Sequence, residues 1–119
     1  LLLAGRCRYP RKLEADLWAR EAVFSTGLGF SFAIPHSKSE HIEQSTISVA
    51  RLPAPVSWGD EEAQFIIMLT LNKHAAGDQH MRIFSRLARR IMHEDFRSAL
   101  VNASSEGAIA ALLQHELEL

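Results

Sequence analysis

Gln64-Phe65-Ile66-Ile67-Met68-Leu69-Thr70-Leu71 is apolar almost throughout and β-branched in part. A strand wetted on one face alternates polar and apolar residues, whereas an unbroken apolar run reads as a central strand covered on both faces. Helices on both sides of a sheet follow from that reading. Upstream, Ser45 to Leu52 sets Ile47, Val49 and Arg51 against Ser48 and Ala50, which predicts a second strand closed by Pro53-Ala54-Pro55. Ser57-Trp58-Gly59-Asp60 predicts the turn between the two. Earlier still, Phe30 to Ile34 predicts a short strand. Pro35 holds Ile34 extended and fixes its own φ, so His36 is expected to leave the strand end on a stiff stem.

Helices frame these strands. Behind Pro10, the residues Leu13, Leu17, Trp18, Ala22 and Phe24 recur at spacings near three and four, which predicts a helix from about Arg11 to Phe24. It stops at Ser25-Thr26-Gly27-Leu28-Gly29, where two glycines permit backbone conformations that other residues avoid. After the central strand, Gly77-Asp78 offers an N-cap to a helix with an apolar stripe of Ile83, Phe84, Leu87, Ala88 and Ile91. Arg82, Arg86, Arg89 and Arg90 are expected to form its solvated face, and His80 falls in its first turn. A short helix around Asp95 to Val101 and a last one from about Ser104 to Leu117 complete the pattern.

The chain has 119 residues, 47% hydrophobic and 23% charged, as expected of one domain over residues 1–119 with a single core. It begins with leucine, and Leu1 to Gly5 reads as the tail of a helix already under way, so a fragment of a longer chain is expected. A net charge of -1 gives no field that would favour nucleic acid or an anionic membrane. The apolar run Phe65 to Leu71 is far below the roughly 20 residues a membrane helix needs. A lone cysteine is compatible with a reducing compartment, and a cytoplasmic setting is expected. Cys7 is the single cysteine, which excludes an internal disulfide and a cysteine zinc site, and it is expected at the surface or partly buried. The six histidines fall in different elements without ligand spacing, so no metal is expected. Gly27-Leu28-Gly29 follows a helix and precedes a strand, the reverse of a dinucleotide loop, and no cofactor is expected.

One combination of residues stands above this background. Arg20-Glu21, then Ser25-Thr26-Gly27-Leu28-Gly29, then Ala33-Ile34-Pro35-His36, and much later His80 before Phe84-Ser85-Arg86-Leu87-Ala88 keep an order and spacing. That series resembles the enzyme IIA domains of the fructose/mannitol family, from the bacterial phosphoenolpyruvate-dependent sugar phosphotransferase system. It covers about Arg11 to Leu117. The resemblance implies an α/β fold, a three-layer α/β/α sandwich around a small mixed sheet. In most members a further N-terminal strand and helix complete it, a region absent here or reduced to Leu1 to Gly5. It implies that His36 is the phosphorylated nucleophile, that His80 hydrogen-bonds and orients the phosphoryl group, and that Arg20 is a phosphate clamp. Ser37 stands where many members carry glycine or alanine.

The implied chemistry suits these residue types. Phosphoryl transfer needs a neutral nitrogen lone pair aimed in line at phosphorus and donors for the equatorial oxygens. An imidazole, with an unperturbed pKa of about 6.5, meets the first need near neutral pH without a metal. A guanidinium supplies a planar, permanently charged set of donors. Ser31, Ser37 and Thr26 are further hydroxyls near the motif, although turn and strand-end roles are the expected account of them. The partners implied are the phosphocarrier HPr as donor and a cysteine of a IIB domain as acceptor, with the membrane IIC permease reached only indirectly. Related domains also serve nitrogen-linked regulation or sit inside transcription regulators, where phosphorylation alters partner binding. The sugar lies outside what these residues encode.

Overall fold

Pro10 has no N–H to leave unpaired in a first helical turn and opens α1 (Pro10–Val23). Three short strands follow, β1 (Gly27–Gly29), β2 (Phe32–Ala33) and β3 (His36–Ser39), then two long ones, β4 (Thr46–Trp58) and β5 (Glu61–Asn72). Helices α2 (Gln79–Ile91), α3 (Glu94–Val101) and α4 (Glu106–Leu117) end the order. This computed structural model describes residues 5–23, 25–73 and 79–117, with Gln79 and His80 described in the backbone alone. The expected helix tail at Leu1 to Ala4, Phe24 and the Gly77-Asp78 cap lie outside the described residues. The chain divides into two units, Leu1–Ala75 and Ala76–Leu119.

In the first unit β5 is the central strand of a five-stranded mixed sheet, with the order β1-β2-β5-β3 and β4 also paired to β5. β2 and β3 run parallel to β5, and β4 runs antiparallel to it. Ala63, Phe65, Ile67, Leu69 and Leu71 of β5 are buried, and so is Thr70. Gln64, Ile66 and Met68 between them are partly exposed, so burial alternates along β5 up to Leu69 although the apolar sequence does not. Phe32 stacks on Phe65 across the sheet, with ring centroids 4.9 Å apart.

Several expectations are corrected. The strand predicted at Phe30 to Ile34 shrinks to Phe32–Ala33, because Phe30 and Ser31 form the tip of a β1–β2 hairpin with φ of 56° and 65°. Two left-handed central residues give the twist that tight hairpins need, a conformation that usually selects asparagine or glycine. His36 does not leave a strand end. Pairing with β5 resumes at His36, in the register it had before Pro35: Ala33 faces Ile66 and His36 faces Leu69. Proline has no N–H to give the ladder, but its carbonyl still accepts the Leu69 N–H at 2.9 Å, so the strand passes through with one rung missing. The second strand is not closed by Pro53-Ala54-Pro55 either. β4 continues to Trp58, its exposed prolines lying where the register shifts between Arg51 and Val56. Prolines are tolerated at such edge bulges because no partner needs their N–H.

α1 lies against β3. Leu13, Asp16, Leu17 and Arg20, at helical spacing, are its less exposed face, and the Ser39 hydroxyl donates to Asp16 at 2.6 Å. Leu13 also joins a small core with Cys7, Ile42 and Leu17. Cys7 is buried, 2% exposed, and is held by a β-bridge to Ile42, contrary to the surface or partly buried position expected.

In the second unit α2 brings Leu87 and Ile91, α3 Phe96 and Leu100, and α4 Ile109, Leu113 and Leu117 as buried side chains. Ser105 caps α4 through its hydroxyl, which accepts the Ala108 N–H at 3.1 Å. The arginine face of α2 is not uniformly solvated as expected. Arg90 is paired with Glu116 of α4 at 2.9 Å, and Arg86 donates to the Glu116 carbonyl. The reason is local: the last turn of α4 presents the Glu116 carboxylate, and a carbonyl that lies beyond the helix's own bonding pattern, to that side of α2.

Candidate functional site

The site is built where β3 begins. Both edge groups of Ile34 turn away from β5: its N–H donates to the Thr26 carbonyl at 3.1 Å, and its own carbonyl meets His36 Nδ1 at 2.9 Å. A carbonyl only accepts, so Nδ1 carries the hydrogen. On the other side of the ring, Arg20 Nε lies 3.0 Å from His36 Nε2. A guanidinium only donates, so Nε2 is the acceptor and holds the in-plane lone pair. The two contacts agree on one neutral tautomer. His36 is half-buried and Ile34 is 1% exposed, so the ring sits at the surface on a buried mount.

Arg20 reaches the ring because it occupies the last turn of α1, one helical turn beyond Asp16. Asp16 and Arg20 are thus paired with Ser39 and His36, the two ends of β3. Arg20 is more than the surface neighbour of Glu21. Glu21, in turn, receives the Thr26 N–H at 3.1 and 3.3 Å and also the Thr26 hydroxyl, closing the exit from α1. The indole N–H of Trp58 donates to the same hydroxyl at 3.3 Å. Thr26 is 5% exposed.

The other named residues fall as follows. Ser31 contributes its backbone, its carbonyl accepting the N–H groups of Gln64 and Phe65. Ser37 is buried in β3, opposite Thr70 of β5. His80 lies in the first turn of α2, as expected, while its side chain is outside the described residues. Glu21, Asp16, Ser39 and Trp58 were not singled out as parts of the site by sequence reasoning. The pairs Asp16/Arg20 and His36/Ser39 carry a usable signal, since they bring matched polar groups to one helix face and one strand. Among the described residues, no group of three or more histidine, cysteine, aspartate or glutamate side chains converges as a metal site.

Comparison with known proteins bears on this geometry. The sequence pattern of the family described as "Phosphoenolpyruvate-dependent sugar phosphotransferase system, EIIA 2" matches residues 1–116. The chain is 92% identical over its full 119 residues to multiphosphoryl transfer protein 2 of Escherichia coli strain K12, of which it spans 14% of the length. It is 32% identical over 86% of its length to the fructose-specific EIIA component of Haloferax volcanii, covering 68% of that protein. Among solved structures, nitrogen regulatory protein IIA-Ntr of Neisseria meningitidis matches 82% of this chain and 68% of its own, at 32% identity and a TM-score of 0.73. The E. coli mannitol IIA in complex with phosphorylated IIB matches 97% of this chain and 80% of its own, with a TM-score of 0.74 at 19% identity, a likeness of fold. With an α/β fold and a family match over nearly its whole length, the chain belongs to the EIIA 2 family of phosphotransferase components of the sugar phosphotransferase system.

Proposed function

We propose that the chain is a phosphocarrier module in which His36 Nε2 takes a phosphoryl group from phospho-HPr and passes it to a cysteine of a cognate IIB domain during fructose/mannitol-type sugar uptake. One observation carries the reading: Nδ1 is spent on the Ile34 carbonyl, which leaves the Nε2 lone pair under the Arg20 guanidinium. In the transfer the N–P bond of the donor phosphohistidine breaks as an Nε2–P bond forms, and the donor imidazole leaves with the bonding pair. His36 keeps its Nδ1 hydrogen on Ile34 throughout. Arg20, displaced from the lone pair by phosphorus, turns its donors to the equatorial oxygens. No metal or cofactor enters the step.

The setting rests on the relatives. Their names record multiphosphoryl transfer and fructose specificity, and the mannitol IIA was solved with phosphorylated IIB. Among the described residues no helix is long and apolar enough to cross a membrane, and we place the module in the cytoplasm, touching the IIC permease only through IIB. His80 is assigned the role its match implies, a hydrogen bond to the phosphoryl group. His80→Ala should slow acceptance and donation, and unchanged rates in both directions would remove it from the mechanism. The likeness to IIA-Ntr supports a second reading, a regulatory module whose phosphorylation controls partner binding. Phosphate passing from the labelled protein to a IIB cysteine selects the transport reading; a labelled protein that no IIB discharges selects the regulatory one.

The primary test is incubation with phosphoenolpyruvate, enzyme I and HPr. Wild type should be labelled and His36→Ala should not. Equal labelling of that variant would sink the assignment.

A further inference from the structure

We propose that Glu21 and Thr26 are positioning residues that fix which nitrogen of His36 carries the hydrogen, a role that rests on the reading of His36 as nucleophile. Two adjacent residues in the last turn of α1 act on the two ring nitrogens by different routes. Arg20 reaches Nε2 directly at 3.0 Å. Glu21 acts on Nδ1 through three links. Its carboxylate takes both the N–H and the hydroxyl of Thr26. The Thr26 carbonyl then accepts the Ile34 N–H at 3.1 Å. The Ile34 carbonyl, on the same side of the strand, accepts His36 Nδ1–H at 2.9 Å.

Each link has a physical reason to be firm. Thr26 and Ile34 are buried, 5% and 1% exposed, so their polar groups have little access to water as a substitute partner. The Thr26 hydroxyl is held from both sides, donating to Glu21 and accepting from the Trp58 indole. A carboxylate is the side chain that matches two converging donors, since it offers acceptors alone. A glutamine there would turn an NH2 group toward an N–H or an O–H.

The consequence is chemical. A neutral imidazole exchanges its hydrogen between two nitrogens, and the tautomer with hydrogen on Nε2 has no lone pair there and sets two donors against each other at Arg20. Holding the Ile34 carbonyl in place keeps the ring in the tautomer able to attack.

The test reads the tautomer without any phosphoryl donor. In 15N-histidine-labelled protein, the ring nitrogens of His36, assigned by comparison with His36→Ala, should show Nδ1 protonated and Nε2 bare. Glu21→Gln and Thr26→Val should each bring the other tautomer to a comparable population and slow acceptance from phospho-HPr by about tenfold. Thr26→Ser, which keeps the hydroxyl, should restore both. A wild-type tautomer in Glu21→Gln and Thr26→Val would overturn the proposal, as would slower transfer with no tautomer change, the signature of a purely structural staple. If Glu21→Gln fails to fold, the Val and Ser pair at Thr26 decides. A shifted tautomer in these variants together with full labelling of His36→Ala would refute His36 as nucleophile and leave the brace in place.

Discussion

Two proline interruptions flank the same central strand and do opposite things. At Ile34-Pro35 the parallel pairing with β5 loses a rung and keeps its register, Ala33 facing Ile66 and His36 facing Leu69. At Pro53-Ala54-Pro55 the antiparallel pairing loses its register, so that Leu52 to Pro55 stand opposite Gln64 alone. The first break lies between buried residues, with Thr26 on the far edge to take the Ile34 N–H. Its geometry is therefore determined from both sides. The second lies on an edge strand exposed along most of that stretch, where an extra loop of backbone costs little. Inside the held register the Ile34 carbonyl is fixed on the edge that faces away from β5, where it meets His36 Nδ1 and orients the ring. A rung removed at an open edge leaves a bulge.

If the first break is a mount for chemistry, the groups around it should change transfer far more than stability. Arg20→Ala removes the donor at Nε2 and should lower phosphoryl acceptance on the order of 10²-fold, the usual cost of losing one preorganised donor to developing charge. Arg20→Lys, a point charge without the planar fork, should recover only part of it. Rapid-quench labelling from phospho-HPr measures both, and a loss of under about threefold in Arg20→Ala would remove the clamp from the mechanism. Pro35→Ala frees Ile34 from the extended conformation and should slow transfer by on the order of tenfold, since a small misplacement of the nucleophile is costly. Pro53→Ala and Pro55→Ala, at exposed positions of the bulge, should leave transfer unchanged and shift stability by less than about 0.5 kcal/mol. Equal effects at Pro35 and Pro53 would erase the contrast.

The same contrast explains what could be read from the sequence. α1 was legible to within a residue at each end, because Leu13 and Leu17 mark its buried side and Pro10 its start. β5 was legible as the central strand because its burial is written as an apolar run. β3 was not. His36-Ser37-Lys38-Ser39 alternates as a strand should, but its inward residues are serines, made tolerable inside by Asp16 reaching Ser39 from α1. A partner 23 residues away leaves no local pattern. Both proline interruptions looked like terminators, since local rules do not say whether a strand resumes; only the partner strand does. His36 and Arg20 were singled out through the order of blocks around them. The brace through Glu21, Thr26 and the Ile34 carbonyl was illegible because each of its three links uses a backbone atom, whose role no side-chain pattern encodes.

The smallest effect expected is also the one that joins the two breaks. Gln64 is the residue opposite the bulge, and its side-chain amide donates to the Leu52 carbonyl at 3.0 Å, standing in for the ladder bond lost there. On the other side its backbone N–H donates to the Ser31 carbonyl at 2.8 Å, at the hairpin that leads into the His36 strand. Gln64→Leu keeps the backbone bond and removes the amide, so it should cost about 1 kcal/mol of stability, read from a urea midpoint, with transfer unchanged. Slower transfer in this variant would mean that strain at the bulge crosses β5 to His36. In that event the held register beside Pro35 would depend on the bulge opposite, and the two breaks would act as one device.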